Sequence, residues 1–357
     1  MAKYAINGRF VVRKQTGQER FAKELISELD KIVEKDEFVL VVPEYAKDIP
    51  DYKNISIVRY GKVKSHFWEQ VSFYRYIRKH SLLSINLTTT CPLIDPGIVC
   101  LHDACLYEIH DLLTQNIYGK LSTAWHKIIF FFASKRAKRI ITVSNYSKQK
   151  LMKYLHLSEP KISVVYNAWQ HFERIGLDDS IFGVLSNAVK KGNYFLALSS
   201  LTPQKNFVWI KQVALRNPDQ IFVICGSAEG FTKLGENELK TTNMIFTGYI
   251  TDSQIKALMT HCKAFIHPAI YEGFGIPPLE AMSCGAKLIL STATCLPEIY
   301  GDSAHYIDPY RYDYDLETIL QEPVASPNEV LNKYNWSTEA VKLYQVINDT
   351  YKGKKSN

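Results

Sequence analysis

Short apolar segments alternate along this chain with longer stretches in which apolar residues recur every three or four positions. The first kind predicts strands and the second predicts helices, so the alternation favours α/β architecture with parallel sheets. A helix should begin near Gly17 and run through Phe21, Leu25 and Leu29. The strands predicted in the first half are Tyr4–Phe10, Phe38–Val42, Ile55–Tyr60, Leu83–Leu87, Gly97–His102, Ile140–Ser144 and Ser163–Tyr166.

A second series of strands follows a polar bridge at about residues 167–192. The two series predict two domains, 1–170 and 171–336, with a last helix at about 337–352 packing back on the first. The strands predicted here are Tyr194–Ser199, Gln220–Cys225, Met244–Thr247, Ala264–His267, Lys287–Leu290 and His305–Ile307. The helices predicted between them are Lys205–Leu215, Asp252–His261 and Pro277–Cys284. Asp252 and Ser337 are the expected caps of their helices.

Charge is unevenly distributed over the 357 residues, which carry a net charge of +7. Residues 1–167 contain 26 Lys and Arg against 16 Asp and Glu, whereas residues 168–357 contain 17 against 20. A basic first half suggests an anionic partner, such as an acidic membrane surface or a lipid diphosphate. Nucleic acid is not expected, because no recognisable nucleic-acid-binding module is present.

Two stretches, 62–80 and 118–139, are both basic and aromatic. Each is open to two interpretations: a helix that lies on an anionic membrane, or a helix with its aromatic residues in the core and its charges in water. The start of the sequence lacks a secretory signal, and no apolar run approaches the roughly 20 residues of a membrane span. We therefore expect a cytoplasmic protein, bound at most peripherally to the inner face of the cell membrane.

Residues that could bind a metal are few. The seven cysteines form no C-x-x-C pair, which predicts reduced thiols. The acidic and histidine residues between His102 and Asp111 lack the helical spacing of a zinc enzyme. We expect no bound metal and no cofactor.

The most informative chemistry lies between His267 and Met282. Glu272 and Glu280 stand eight positions apart around a Gly-Phe-Gly loop, and two prolines then suit the first turn of a helix. A helix N-terminus favours a diphosphate, and glutamates beside it can accept hydrogen bonds from sugar hydroxyls. The segment therefore predicts a nucleotide-sugar site.

Several motifs stand in a characteristic order: Arg-Lys-Gln-Thr-Gly-Gln-Glu-Arg at 13–20, His102-Asp103, Thr-Pro-Gln-Lys-Asn at 202–206, the paired glutamates, and Leu-Pro-Glu-Ile at 296–299. In this order the chain resembles the family-4 retaining glycosyltransferases (glycosyltransferase group 1) of the polysaccharide-biosynthesis type. That resemblance implies the GT-B fold, in which two Rossmann-like domains with parallel sheets face each other across a cleft.

The resemblance also implies roles for residues of the second domain. Glu280 would bind the ribose of the donor nucleotide, and Glu272 the hydroxyls of the donor sugar. Lys205 would neutralise the phosphate of the leaving group, where negative charge accumulates as the glycosidic bond breaks. Three backbone amides would approach the sugar and the diphosphate, those of Gly273, Phe274 and Gly275.

In the first domain, Gly17 would let its loop reach the diphosphate, and His102 would contact the donor sugar near the anomeric carbon. One feature departs from the family pattern. Many members carry an arginine with the lysine of their phosphate-binding loop, which 202–206 resembles. That arginine stands either just before the lysine or on the preceding strand, where this chain has Gln204 and Ser199-Ser200. Either one positive charge is missing, or Arg13 or Arg20 supplies it.

The predicted function is the transfer of a sugar from a nucleotide diphosphate sugar to a glycan or lipid-diphosphate-linked acceptor, with retention of configuration. Capsule, exopolysaccharide or O-antigen synthesis would use such a reaction. The amino-terminal pattern Ile-Asn-Gly-Arg-Phe weakly favours a rhamnosyl donor over glucose or mannose. The alternatives are a GT-B nucleotide-sugar epimerase or phosphorylase, and a catalytically silent glycan-binding subunit.

Overall fold

The chain divides into two units, and each is built around one parallel sheet. This computed structural model describes residues 2–198, 202–226 and 241–355. The first unit is Met1–Asn167 with Asn335–Asn357, and the second is Ala168–Tyr334. The expected α/β architecture with parallel sheets is confirmed.

Seven strands form the sheet in the described part of the first unit: β1 (Tyr4–Asn7), β2 (Phe38–Val42), β3 (Ser56–Arg59), β4 (Leu83–Asn86), β5 (Ile98–Cys100), β6 (Arg139–Thr142) and β7 (Ile162–Val164). They lie in the order β3-β2-β1-β4-β5-β6-β7. Strand β2 is a continuous run of five buried apolar residues, as expected where helices cover both faces of a parallel sheet. Strand β1 is shorter than predicted, because the Asn7 side chain accepts a hydrogen bond from Arg9 N and caps the 3-10 helix Gly8–Val12.

The helices of the first unit confirm the predicted pattern. Helix α1 begins at Gly17, capped by Thr16 and Glu19, and buries Phe21, Leu25 and Leu29. The helices are α1 (Gly17–Leu29), α2 (His66–Trp68), α3 (Tyr74–Lys79), α4 (Cys105–Glu108), α5 (His110–Leu113), α6 (Ile117–Arg136) and α7 (Asn145–Leu155). A π-helical segment, Glu69–Phe73, joins α2 to α3. None of the described helices is both long and apolar enough to cross a bilayer.

Among the described residues of the second unit, six strands form the sheet: β8 (Tyr194–Leu198), β9 (Ile221–Cys225), β10 (Met244–Phe246), β11 (Ala264–His267), β12 (Leu288–Ser291) and β13 (His305–Ile307). They lie in the order β10-β9-β8-β11-β12-β13. The helices of this unit are α8 (Phe207–Arg216), α9 (Asp252–His261), α10 (Ile276–Ser283), α11 (Leu296–Tyr300), α12 (Leu316–Gln321) and α13 (Asn328–Lys333).

The strand order of the second sheet reverses between β8 and β11, and this point is where a ligand crevice opens in such sheets. The loops at the carboxyl ends of the two strands are tied together there. Asn206 Nδ2 donates to the carbonyl oxygen of Pro268, at 3.1 Å, and to that of Pro309, at 2.8 Å. The residues following β8 are therefore fixed against those following β11.

The last helix, α14 (Trp336–Lys355), belongs to the first unit although it lies at the end of the sequence. Tyr4 of β1 donates a hydrogen bond to Asn348 Oδ1 at 2.7 Å, and Tyr166 N donates to Glu339 Oε2 at 2.9 Å. Trp336 is 1% exposed and meets Phe21 edge-on. This helix therefore completes the core beside β1 and α1.

Two predicted helix caps are wrong by one or two residues. Thr251, not Asp252, caps α9: its Oγ1 accepts from Gln254 N, and the Gln254 side chain accepts from Thr251 N. At the start of α14, Asn335 Oδ1 accepts from the Ser337 backbone at 2.9 Å, so Ser337 lies inside the helix. In both cases the side chain able to reach a free N–H two or three residues ahead is the cap.

Replacing Trp336 by alanine should destabilise the first unit by about 3–5 kcal/mol, because it empties a fully buried aromatic site. Hydrogen exchange followed by mass spectrometry should show faster exchange in α1 and β1, while peptides from β8 to β13 keep their protection. Val341→Ala, on the exposed side of the same helix, is the control and should change stability by less than about 0.5 kcal/mol. Unchanged exchange in α1 would contradict the role of α14 in the first core.

Candidate functional site

Three side chains of the second unit meet at the carboxyl edge of its sheet. Lys205 Nζ donates to Glu272 Oε1, and His267 Nε2 lies 2.9 Å from the same oxygen. Lys205 follows β8 and His267 ends β11, so the pairing of these neighbouring strands brings the three together. Their side chains are 22% exposed for Lys205, 15% for Glu272 and 3% for His267.

The charges in this cluster are fixed by their neighbours. Burial acts to raise the pKa of Glu272, but the charge of Lys205 and the hydrogen bond from His267 outweigh it and lower that pKa to about 2. The pKa of His267 is itself lowered, mainly by burial, so its imidazole is neutral and donates from Nε2. At neutral pH Glu272 is therefore a carboxylate that can accept hydrogen bonds from hydroxyls and has no proton to give.

The loop between Glu272 and α10 is shaped by one glycine and one buried ring. Gly275 has φ of +86°, and a Cβ there would come within 2.9 Å of a Leu296 methyl group, so the position requires glycine. The Phe274 side chain is 3% exposed and packs edge-on against Tyr334. Tyr300 also donates to the Gly275 carbonyl oxygen. These contacts with Tyr334 and Tyr300 hold the backbone of the loop in place.

The start of α10 offers fewer amide donors than an ordinary helix. Pro277 and Pro278 are its second and third residues and carry no N–H. Of the first four residues, whose amides lack helical partners, only Ile276 and Leu279 can donate. A diphosphate at this end would depend more on the preceding loop and on Lys205 than the motif alone suggests.

Glu280 lies in the middle of α10 and is nearly buried. Its Oε1 is 2.7 Å from His171 Nε2, and the two side chains are 8% and 4% exposed. His171 belongs to the segment that opens the second unit, so a distant part of the chain orients this carboxylate. No signal in the sequence pairs these two residues.

The phosphate loop takes a different form from that predicted. Residues Pro203–Lys205 form a 3-10 turn, and Asn206 is left-handed with φ of +54°. Helix α8 therefore begins at Phe207, and Lys205 precedes the helix instead of starting it. Ile270 N donates to the Gln204 carbonyl oxygen at 2.8 Å, which ties this turn to the residues following β11.

Gln204 stands where the family resemblance predicts an arginine. Its Oε1 is buried and has no hydrogen-bond partner among the described residues. Ser199 and Ser200 lie outside the described residues. Arg13, one candidate for the missing charge, has its Nε 3.1 Å from Glu19 Oε1 in the first unit.

His102 lines a pocket of about 300 Å³ that lies within the first unit. Helix α6 forms one wall of this pocket, and the residues following β4 and β5 form part of the rest. The residues that line it are Gln18, Thr89, His102, Asp103, Cys105, Leu106, Leu113, Tyr118, Gly119, Ser122, Thr123, His126 and Phe130. Gly17, the neighbour of Gln18, is exposed as the first residue of α1.

The histidines and Thr89 provide hydrogen-bond acceptors in this pocket. His102 Nε2 lies 3.0 Å from the Leu87 carbonyl oxygen and His126 Nδ1 lies 2.8 Å from that of Ser122, so each ring donates there and keeps a lone pair on its other nitrogen. Burial is the main cause that lowers the pKa of both histidines, which favours the neutral form. The charge of Arg13 also helps to lower the pKa of both histidines, and that of Arg9 helps to lower the pKa of His126, although neither arginine lines the pocket. Thr89 Oγ1 is buried with no partner in the described part of the chain. The lining, as far as it is described, contains no Lys or Arg and fits a neutral, hydroxyl-rich ligand.

The structure thus places the predicted residues in two groups. Lys205, Glu272 and the loop Gly273–Gly275 lie together in the second unit, whereas Gly17 and His102 lie in the first. His267, the last residue of β11, was recognisable by its place before the motif, yet no role was predicted for it. Within residues 2–198, 202–226 and 241–355, no group of three or more His, Cys, Asp or Glu side chains is arranged to hold a metal ion.

Two family profiles match the chain, one in each half. The profile described as Glycosyl transferases group 1 matches residues 185–315, and the profile described as Glycosyltransferase Family 4 matches residues 15–169. The first covers the cluster of Lys205 and Glu272, and the second covers His102.

Curated relatives are similar over about half to two thirds of this chain. An O-antigen chain mannosyltransferase of Salmonella typhimurium, RfbU, is 28% identical over 62% of this chain and 59% of its own length. The serotype-specific mannosyltransferase WbdA of Escherichia coli is 28% identical over 54% of this chain and 25% of its own length. A UDP-Gal:alpha-D-GlcNAc-diphosphoundecaprenol alpha-1,3-galactosyltransferase of Escherichia coli is 26% identical over 55% of this chain and 52% of its own length. The match therefore spans less than two thirds of each of these relatives.

Solved structures resemble the chain over nearly its whole length. Sucrose-phosphate synthase from Thermosynechococcus elongatus superimposes with a TM-score of 0.73 at 12% identity, covering 99% of this chain and 100% of that one. HepE of Anabaena, in complex with UDP and glucose, superimposes with a TM-score of 0.71 at 14% identity, covering 98% of this chain and 100% of that one. At these identities the likeness concerns the fold alone.

The lowered pKa of Glu272 makes a prediction about acid stability. An ordinary glutamate has a pKa of 4.5, so the paired carboxylate stabilises the second unit fully above that pH, and this contribution is lost as the pH falls towards 2. Glu272→Gln should cost up to about 3 kcal/mol at pH 7 and should flatten the fall in unfolding free energy between about pH 4.5 and 2.

Urea denaturation at a series of pH values measures this difference. Glu317→Gln is the control, because Glu317 is 46% exposed and its pair with Lys263 should contribute little. Parallel pH profiles for the wild type and Glu272→Gln would contradict the ion pair.

Proposed function

Because the chain belongs to the group 1, family-4 glycosyltransferases and has the GT-B fold, we propose that it transfers a sugar from a nucleotide diphosphate sugar to a lipid-linked glycan acceptor. The pathway we propose is O-antigen or related surface-polysaccharide synthesis. The names of two relatives support this choice, since RfbU is described as an O-antigen chain mannosyltransferase and WbdA as a serotype-specific mannosyltransferase.

The cluster of Lys205, Glu272 and His267 is the observation that carries the proposal. Its carboxylate and ammonium stand at the strand reversal, where α/β sheets bind ligands. Negative charge grows on the diphosphate as the glycosidic bond breaks, and an ammonium held beside it lowers the energy of that transition state. Glu272, fixed as an anion, would accept hydrogen bonds from the donor sugar.

The nucleotide would lie along α10. Glu280, oriented by His171, would accept hydrogen bonds from the ribose hydroxyls. The diphosphate would approach the backbone of Gly273–Gly275 and the amide of Ile276.

We propose retention of configuration by front-side displacement, in which the leaving phosphate deprotonates the acceptor. A carboxylate whose pKa is about 2 is a weak base, so Glu272 is poorly suited to take a proton from a hydroxyl. Its contacts with Lys205 and His267 also hold it as a binding group. We therefore assign removal of the acceptor's proton to an oxygen of the leaving diphosphate.

The acceptor's terminal sugar would bind in the pocket of the first unit, beside His102, which the family resemblance assigns to the donor sugar near the anomeric carbon. The pocket offers neutral imidazoles, the Thr89 hydroxyl and apolar walls from Leu106 and Phe130. Hydroxyl groups can donate to these acceptors, and the C–H faces of a sugar can pack on the apolar walls. A charged diphosphate would find no cation in the described lining, so this part of the acceptor would lie elsewhere.

For the donor we propose a hexose, with mannose before galactose, because two of the relatives described above are named as mannosyltransferases and one as a galactosyltransferase. The rhamnosyl donor suggested by the amino-terminal pattern stays a prediction.

A panel of GDP-mannose, UDP-galactose, UDP-glucose and dTDP-rhamnose, assayed by thermal shift and by donor hydrolysis, tests the proposal. One donor should stabilise the protein, and Lys205→Met should weaken binding of the matching nucleoside diphosphate by roughly tenfold or more. Lys211→Met, on the neighbouring α8, is the control and should bind as the wild type does. Conversion of the donor to an isomer without acceptor would favour an epimerase, and no response to any donor a silent subunit.

The acceptor pocket makes a separate prediction. Thr89→Val keeps the shape of the side chain but removes the buried hydroxyl, so it should raise KM for the acceptor by roughly three- to tenfold. Acceptor-independent donor hydrolysis should stay unchanged. Thr350→Val, on α14 of the same unit, is the control. An unchanged acceptor KM together with altered hydrolysis would place Thr89 on the donor side.

A further inference from the structure

Helix α6 is apolar on two opposite faces, and only one of them is covered. Thr123, Ile129, Phe130 and Ala133 are buried in the first unit. On the opposite side, apolar residues recur at spacings of four, three, four and three positions and all are exposed. They are Ile117 at 73%, Leu121 at 66%, Ala124, Ile128 at 43% and Phe131 at 56%.

This outer stripe is too regular for scattered surface residues. At about 100° per residue its five members fall within a narrow arc of the helix, and at 1.5 Å per residue they extend over roughly 21 Å. Single exposed apolar side chains are common on soluble proteins, whereas a continuous apolar strip indicates a surface that binds something. A helix that is apolar all round is normally covered all round.

The charge around the stripe identifies the kind of partner. Helix α6 itself carries four cations, Lys120, Lys127, Lys135 and Arg136, and no Asp or Glu. Lys120 and Lys127 both fall on one flank of the stripe, while Lys135 and Arg136 lie at its carboxyl end. A second copy of this chain would bring like charges together, which disfavours self-association. An anionic surface satisfies the cations and the apolar side chains at once.

We propose that the outer face of α6 lies on an anionic lipid bilayer, parallel to its surface. Ile117, Leu121, Ile128 and Phe131 would enter the boundary between headgroups and acyl chains, and the flanking lysines would meet lipid phosphates. The other aromatic, basic stretch has a different role: Trp68, Phe73 and Ile77 are buried, so most of its apolar residues belong to the core.

The inner face of the same helix lines the pocket of the first unit through Ser122, His126 and Phe130. A lipid-linked acceptor anchored in the bilayer would therefore present its sugar close to where the helix binds the membrane. This last step rests on the proposed function, whereas membrane binding itself can be measured without any sugar.

Vesicle flotation tests the surface directly. The full chain should float with vesicles of phosphatidylcholine and phosphatidylglycerol at low salt, and much less with phosphatidylcholine alone. Leu121→Glu combined with Phe131→Glu should lower the partition coefficient by roughly tenfold or more, because it places two carboxylates in the stripe. Lys120→Gln combined with Lys127→Gln should weaken binding and its salt dependence while leaving the apolar contribution.

The matched control is Leu215→Glu combined with Val208→Glu. These residues are 53% and 50% exposed on α8 in the second unit, and the change should leave flotation unaffected. Circular dichroism and the melting temperature establish that both double variants fold. Turnover of a lipid-free acceptor, measured in parallel, should stay unchanged in the α6 variant, so failure of the membrane surface and failure of the proposed transfer give different results.

Three outcomes would overturn the proposal. The wild type could fail to float with anionic vesicles, or could float equally with neutral ones. It could also form a dimer by light scattering that the α6 variant abolishes, which would assign the stripe to a second copy of the chain.

Discussion

The parallel pairing of β8 with β11 is the constraint on which the site of the second unit depends. Because the two strands run in the same direction, the residues that follow them emerge at one edge of the sheet. Asn206 then ties the two loops together through the Pro268 carbonyl oxygen. Lys205 and Glu272, 67 positions apart, meet as a consequence of this backbone arrangement.

The ion pair that results is suited to exchange with a ligand. Two nearly buried charges are stable only when each satisfies the other, and removal of one partner leaves the other uncompensated. A diphosphate that reached Lys205 would take over part of the role of Glu272, while His267 would continue to hold the carboxylate. The site would thus keep its charges paired with and without a donor, and Glu272 would become available to sugar hydroxyls as the phosphate engages the lysine.

Much of the fold was predictable from the sequence, because buried parallel strands are continuous apolar runs and the helices are strongly periodic. Strands β2, β11 and β13 and helices α1 and α9 have the predicted bounds. Element ends were less predictable, since Thr251 and Asp252 can both cap a helix and only the local backbone decides between them. The same holds for Lys205, which the left-handed Asn206 excludes from α8.

Other contacts of the candidate site could not be predicted from the sequence, for a different reason. The paired glutamates follow from a local motif, but the partner of Glu280 is His171, 109 positions away in a segment without any motif. The unsatisfied oxygens of Gln204 and Thr89 depend on what surrounds each side chain, which no local pattern reports. Tertiary packing alone determines these contacts.

Helix α6 shows why the direction of a side chain must come from the structure. Ile128 and Ile129 are adjacent and identical, yet one is exposed and the other buried, and Phe130 and Phe131 divide in the same way. In the sequence this cluster is one apolar run that fits either the core or a membrane. Each residue of the helix is rotated by about 100° from the one before it, so adjacent residues of the run lie on different faces. The core interpretation therefore holds for some residues of the segment and the membrane interpretation for others. The inner face contributes to the core and to the pocket, and the outer face remains for a partner that is both apolar and anionic.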